Sequence, residues 1–293
     1  MYRAWILCVA GLLSSVGAVA ASIDCENCAA WNQQQAPFRI FGNTYYVGVR
    51  GLSAVLVTSK DGHVLIDGDL PQSAPRIAEH VQELGFKIED VKLILNSHVH
   101  YDHAGGIAEL QELTGAKVIA SDIATKVLRT GKVDRNDPQF EILKAYPPVA
   151  NVEALGARKS VNVGKLQLNV IHTPGHTPGG TSWSWRSCEG KRCSNMVYAD
   201  SLNAVSDDSF KYSGDERYPN AASDMEASIA ALAAAPCDIL IAAHPNLTSL
   251  WSVIDEHGKG DRGKLIDASS CKRYAAAGKE RLDQRLADEH QRQ

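Results

Sequence analysis

The sequence predicts an α/β protein built as a four-layer αββα sandwich, with helices outside two facing mixed sheets. Strand-like runs followed by helix-like runs occur twice along the chain, and sheets and helices that each bury one face combine into such layers. The 293 residues, 44% of them hydrophobic, can bury a large core in one large domain or two fused ones. Three apolar runs, Val91–Leu95, Leu166–Ile171 and Asp238–Ala243, each lead into a loop bearing histidine. Such a fold would gather those strand ends along one edge.

The chain opens Met1-Tyr2-Arg3, runs almost free of charge from Ala4 to Ala20, and passes through Ala18-Val19-Ala20-Ala21-Ser22. That pattern predicts a secretory signal peptide over residues 1–21, with an A-x-A-like cleavage site and export to the periplasm. Cys8 lies too early for a lipoprotein site. No later run approaches the roughly 18 apolar residues needed to span a bilayer, so no stable membrane anchor is expected. Residues 22–293 are then a single domain of two α/β halves, about 40–150 and 151–293.

In the first half, hairpin-like strands are expected at Thr44–Val49, Ser53–Thr58 and Val64–Asp67, with Lys60-Asp61-Gly62-His63 as a turn. A helix is expected next at Ala74–Leu84, then the buried strand Val91–Leu95. Ile107–Leu113 reads as an amphipathic helix stopped by Gly115. Leu128–Tyr146 is polar, and its Asp134-Arg135-Asn136-Asp137-Pro138 is a poor helix. The second half offers strands near Ser160–Val163, Leu166–Ile171, Thr181–Trp185, Met196–Ala199 and Ile239–Ala243. Its helix from Asp224 starts with a capping-box pattern, Ser223-x-x-Glu226, and Lys264–His290 closes the chain in helices. Trp183 and Trp185 are expected in the core. The net charge of −4 argues against a nucleic-acid partner.

His98, His100, Asp102 and His103 stand together in the run NSHVHYDHAGG, after the apolar strand Val91–Leu95. Residues two apart in extended chain point the same way, so His98 and His100 can grip one ion. A turn through Tyr101, Gly105 and Gly106 would send Asp102 and His103 toward a second. Zinc takes imidazole and carboxylate at about 2.0–2.2 Å and keeps a position open for water when it is catalytic. Two ions need more donors. His176, in IHTPGHTPGG, and His244, before Pro245, each come after a strand-like run. His172 competes with His176, whose place on the Gly175–Pro178 turn favours it and leaves His172 a structural or supporting role. His63, His80, His257 and His290 lie in polar, turn-like or helical contexts and are expected to be solvated.

HVHYDHAGG, GHTPGG and the strand-end His244 together resemble the metallo-β-lactamase superfamily, and more closely its class B, subclass B3 β-lactamases. The similarity spans nearly the whole mature chain, including Thr44–Gly48, Leu65–Gly68, Gly105–Ala108, Tyr198–Ser201 and Pro236–Asp238. The H-x-H-x-D-H signature alone is shared by thioesterases, lactonases, nucleases and dioxygenases of that superfamily. The resemblance implies two Zn2+ per chain, the first held by His98, His100 and His176 and the second by Asp102, His103 and His244. One subclass carries a cysteine ligand where this chain reads Tyr198–Asn203, and another replaces the first histidine by asparagine; neither feature is present.

The implied activity is that of a secreted β-lactamase hydrolysing the amide of penicillins, cephalosporins and carbapenems, and so of antibiotic resistance. Water at the zincs would be deprotonated near neutral pH, with Asp102 orienting the hydroxide. Another hydrolase of the same fold, a lactonase or thioesterase, is the alternative, and a metal-binding but non-hydrolytic protein, including an iron dioxygenase, a third. A serine enzyme would need S-x-x-K backed by its partner motifs, which Ser270-Cys271-Lys272 does not supply. Ser201, with Asn203 nearby, is expected to bind the substrate carboxylate, although Asp200 as a bridge between the ions stays open. Asp67 would buttress the metal loop. Gln139 and Phe140 either touch substrate or belong to a plain surface loop.

Of seven cysteines, six remain after Cys8, an even number suited to an oxidising compartment. Cys188 and Cys193 flank a short turn and are expected to pair. Cys237 with Cys271 would tie the last strand region to the terminal helix, as the resemblance also suggests. Cys25 and Cys28 are left as a small disulfide, a redox pair or free thiols. The expected partner is a small-molecule β-lactam, and the expected state a monomer.

Overall fold

The computed structural model describes residues 21–257 and 262–292. The leader read at 1–21 lies outside them except for Ala21, as does the His257 side chain. Helix α1 (Cys28–Trp31) precedes a seven-stranded sheet: β1 (Phe38–Phe41), β2 (Thr44–Tyr46), β3 (Val55–Val57), β4 (His63–Ile66), β5 (Val91–Leu95), β6 (Lys117–Ala120) and β7 (Val152–Ala154). Its first four strands pair antiparallel and the rest parallel. Parallel neighbours need long crossovers, and these carry α2 (Ala74–Glu83), α3 (Tyr101–Ala104), α4 (Ile107–Thr114) and α5 (Asp122–Thr130).

The second sheet runs β12-β11-β10-β9-β8, made of β8 (Ser160–Val163), β9 (Leu166–His172), β10 (Thr181–Glu189), β11 (Arg192–Ala199) and β12 (Ile239–Ala242). Only β11 and β12 pair parallel, their crossover being α6 (Ala221–Ala234). Helices α7 (Leu250–His257) and α8 (Ser270–Gln291) finish the chain.

Alternation along the strands sorts apolar side chains into three layers. Val64, Ile66, Leu93 and Leu95 of the first sheet meet Leu168, Trp183, Trp185 and Tyr198 of the second. The opposite face of the first sheet, with Leu65 and Ile94, packs on Ile77, Leu110 and Leu128 of α2, α4 and α5. Val197 and Leu240 pack on Met225 and Leu282 of α6 and α8. Three apolar layers separate four structural ones. The αββα sandwich is therefore the fold, with two mixed sheets inside.

Several local expectations are corrected. The strand β7 belongs to the first sheet, so the halves divide near the exposed turn after Leu155 and not at 150. Helix α6 starts three residues before Asp224 and the capping box does not form: Ser223 Oγ donates to the Asn220 carbonyl, and Asp224 accepts from the Tyr218 hydroxyl. His63 and His80 are buried, not solvated. His80 Nδ1 bonds the Val47 carbonyl at 2.8 Å, and the His63 ring meets Phe86 edge-on, so each imidazole finds partners inside the fold. His290 is exposed.

Candidate metal centre

Strand β5 runs out at Asn96-Ser97, where a buried carboxylate fixes the start of the histidine-bearing loop. Asp67 adopts φ +62°, a left-handed conformation unusual for a side-chain-bearing residue. From there it accepts the Ser97 backbone N–H at 2.7 Å, the Ser97 hydroxyl at 2.5 Å and the Tyr198 hydroxyl at 2.7 Å. Asn96 Nδ2 adds a bond at 3.2 Å. One carboxylate thus joins the turn after β4, the end of β5 and strand β11. The backbone strain, of order 1–3 kcal/mol, is offset by these bonds.

His98, His100 and His176 come together from the loop after β5 and the loop after β9, each able to offer one donor within 4.8 Å of the others. Hydrogen bonds decide which nitrogen each offers. His98 Nδ1 lies 2.7 Å from Asp200 Oδ1 and His176 Nδ1 2.8 Å from the Asn203 carbonyl. A carboxylate and a carbonyl only accept, so both Nδ1 atoms carry the proton and both Nε2 atoms are left with a free lone pair. His98 Nε2 is buried with no hydrogen-bond partner. His100 is turned the other way, its Nε2 donating to Asp137 Oδ2 at 3.0 Å, which leaves Nδ1 free.

A second triad stands beside the first. Asp102 Oδ2 lies 3.2 Å from His103 Nε2 and 3.3 Å from His244 Nε2, and the two nitrogens are 3.1 Å apart. Donors about 2.0–2.1 Å from a tetrahedral zinc lie about 3.3 Å from one another, so this triangle has the size a zinc requires. The short helix α3 carries Asp102 and His103, which with His98 also offer donors within 4.8 Å of one another, and His244 arrives from the end of β12.

The electrostatics suit a cation. Burial, with His100 close by, lowers His176 to about 3, and burial holds His98 well below the ordinary histidine value. Both are neutral imidazoles with lone pairs available to metal. Burial raises Asp102, but His103 and His244 outweigh it and hold the carboxyl far down. Burial lowers His103, yet Asp102 pulls it up to about 9. The second triad therefore sets an ionised carboxylate against a protonated His103, whose proton a bound divalent ion would replace.

Both triads open on a cleft of about 580 Å³ whose wall includes Trp31, Gln139, Ile142, Ser201, Asn203 and Val205. Of the other residues expected at the site, Ser201 lines the cleft, and its Oγ is buried without a hydrogen-bond partner. Asp200 does not stand between the triads; it sits on the Nδ1 side of His98 and also receives the Ser201 N–H. His172 is exposed at the end of β9 and lines a separate surface hollow. Phe140 is not among the residues lining the cleft. Trp183 and Trp185 are buried, their ring N–H groups donating to the Asn96 carbonyl and Thr44 Oγ1.

The structure pairs Cys188 with Cys193, Cys237 with Cys271, and Cys25 with Cys28, the last at the cleft mouth. Two neighbours of the site were not marked by the sequence. Asp137 lay in a segment noted only as a poor helix, and Trp31, 5.5 Å from the His244 ring, lies in a stretch without periodicity. Neither has a spacing signal, because each meets the site only through tertiary contact.

Comparison with known proteins agrees with this geometry. The profile of the Metallo-beta-lactamase superfamily matches residues 47–190. MEM-A1, a subclass B3 metallo-beta-lactamase isolated from a soil metagenome library, is 52% identical and superposes with a TM-score of 0.86 over 90% of this chain and 100% of its own. The Rm3 metallo-beta-lactamase is 53% identical, with a TM-score of 0.88 over 92% of this chain and 100% of its own. The hydroxyacylglutathione hydrolase of Rhodospirillum rubrum is 25% identical over 224 residues, 75% of this chain and 72% of that protein. The chain belongs to the metallo-β-lactamase superfamily. Within it, the chain groups with subclass B3.

Proposed function

We propose that the protein is an exported di-zinc β-lactamase that opens the amide ring of penicillins, cephalosporins and carbapenems. One observation carries this reading: two triads of donors, buried except for the half-buried His244, face a single cleft in a chain 52% identical to a subclass B3 metallo-beta-lactamase. His98 and His176 through Nε2 and His100 through Nδ1 would hold the first zinc. Asp102, His103 and His244 would hold the second. When bound, zinc acts as a Lewis acid and lowers the pKa of water toward neutrality.

The chain's own groups do the rest. Asp102, with its carboxyl held ionised, accepts a hydrogen bond from the attacking water and orients it toward the lactam carbonyl. Ser201 Oγ and the Asn203 side chain, both on the cleft wall, take the substrate carboxylate, directly or through water. Contacts to the Asp200 carboxylate and the Asn203 backbone carbonyl keep the His98 and His176 rings from turning.

Export through a leader at 1–21 to the periplasm fits the three cysteine pairs. No helix among the described residues is long and apolar enough to cross a membrane. Residues 22–293 act as one monomeric domain with no nucleic-acid partner.

The test is hydrolysis of nitrocefin and of a carbapenem by the mature protein, with an acyl-glutathione thioester as contrast substrate. Turnover abolished by chelator and restored by zinc is the expected result. A folded protein carrying two zincs that cleaves the thioester and neither lactam would instead make it a thioesterase of the same fold.

A further inference from the structure

We infer that Asp137 is a positioning residue which both orients a metal-binding histidine and anchors the cleft wall. It sits in the long connection between α5 and β7, yet its side chain is 1% exposed, unusual for a loop carboxylate. The two carboxylate oxygens are used separately. Oδ2 takes the His100 Nε2–H at 3.0 Å, and Oδ1 takes the Gln139 backbone N–H at 2.9 Å.

The first contact selects the histidine's ring form. A carboxylate can only accept, so His100 must carry its proton on Nε2 and present a bare Nδ1 toward His98 and His176. The negative charge behind the ring also makes that nitrogen a stronger donor to a cation. His98 and His176 have their own partners on other segments, so the loss of Asp137 releases His100 alone.

The second contact fixes the loop. Gln139 lines the cleft with Ile142, and the adjoining chain is tied across it: the Pro138 carbonyl accepts the Asp207 N–H at 2.9 Å, and Asp207 Oδ2 accepts the Glu141 N–H at 3.2 Å. One buried carboxylate is therefore shared by the metal side and the substrate side of the site. Displacing it perturbs metal affinity and substrate KM together, a pairing that damage confined to either side would not produce.

This inference rests on the reading of His98, His100 and His176 as a metal-holding set, and its first readout is metal itself. Zinc competition against a chromophoric chelator would be run on wild type, Asp137→Ala and Asp137→Asn, with metal-free melting temperatures as a check on folding. Asp137→Ala is expected to weaken one of the bound zincs on the order of 10- to 100-fold. Asp137→Asn, which keeps shape and acceptor but not charge, should lose on the order of three- to tenfold. The visible bands of the cobalt-substituted variants should shift, and KM for nitrocefin should rise more than kcat falls.

Zinc affinity and cobalt spectra unchanged in both variants would overturn the proposal; should Asp137→Ala fail to fold, the asparagine variant alone decides in the same terms. Wild-type protein that binds zinc but cleaves no lactam would sink the functional reading and leave this one standing on its titration.

Discussion

At the scale of single residues, the site is organised by who holds each donor. Three carboxylates, Asp67, Asp200 and Asp137, fix the metal loop, the His98 ring and the His100 ring in turn, and only Asp102 is itself placed as a donor. Replacing Asp102 with Ala should reduce zinc to about one per chain and lower kcat/KM on the order of 100-fold or more, because the developing charge loses its fixed partner. Elemental analysis and a nitrocefin assay on one sample check both effects; full zinc with normal rate would refute the role. Most of the donors were legible from sequence because four of them crowd into six residues and the others end apolar runs. The supports were much less so. Asp67 showed through its place after β4, whereas Asp137 depends on a loop whose path no local pattern encodes.

At the scale of elements, the sequence marked most strands and missed three, and length alone does not separate them, since β2, β3 and β8 are as short as those missed. Helix α2 and strands β5, β8 and β9 show clear periodicity, while β1, β6 and β7 are three or four residues each and gain their order from neighbouring strands. The capping pattern at Ser223 misled because the helix starts earlier, at Ala221, which puts Ser223 inside its first turn, and Asp224 there is held by the Tyr218 hydroxyl. The connection carrying Asp137 and Gln139 is closed at its base by Gly131, which ends α5 at φ +64° and accepts the Tyr146 N–H at 3.0 Å. A Cβ there would lie 1.9 Å from the Tyr146 carbonyl oxygen. Gly131→Ala should therefore cost at least about 1–3 kcal/mol from backbone strain, with the clash in addition. Urea unfolding measures it, and an unshifted midpoint would mean that the loop base yields freely.

At the scale of the whole molecule, the fold class came from the doubled strand-then-helix order, but the seam between halves was misplaced because β7 was among the strands missed. Acid stability is expected to reside partly in the packing of α8. Burial raises Glu289, but Arg285 and the Tyr212 and Ser213 N–H groups outweigh it and leave the carboxyl below its ordinary 4.5. Its folded value is the lower one, so its contribution is fully present above about pH 4.5 and is lost as pH falls through that lower value. Glu289→Gln should lower the melting temperature at pH 7 and flatten its decline below about pH 4.5, read by thermal scans across pH; parallel curves for the two proteins would remove Glu289 from the account.

The division of donors between the sheets reaches beyond chemistry. His98, His100, Asp102 and His103 precede the turn at 156–159, while His176 and His244 come after it, so His98, His100 and His176 on one hand and Asp102, His103 and His244 on the other each draw donors from both sides. A chain cut in that exposed turn would yield two fragments, each inert alone, whose reunion zinc would favour. The metal site is then a clasp between two pieces of protein, and a site built this way cannot be inherited by halves.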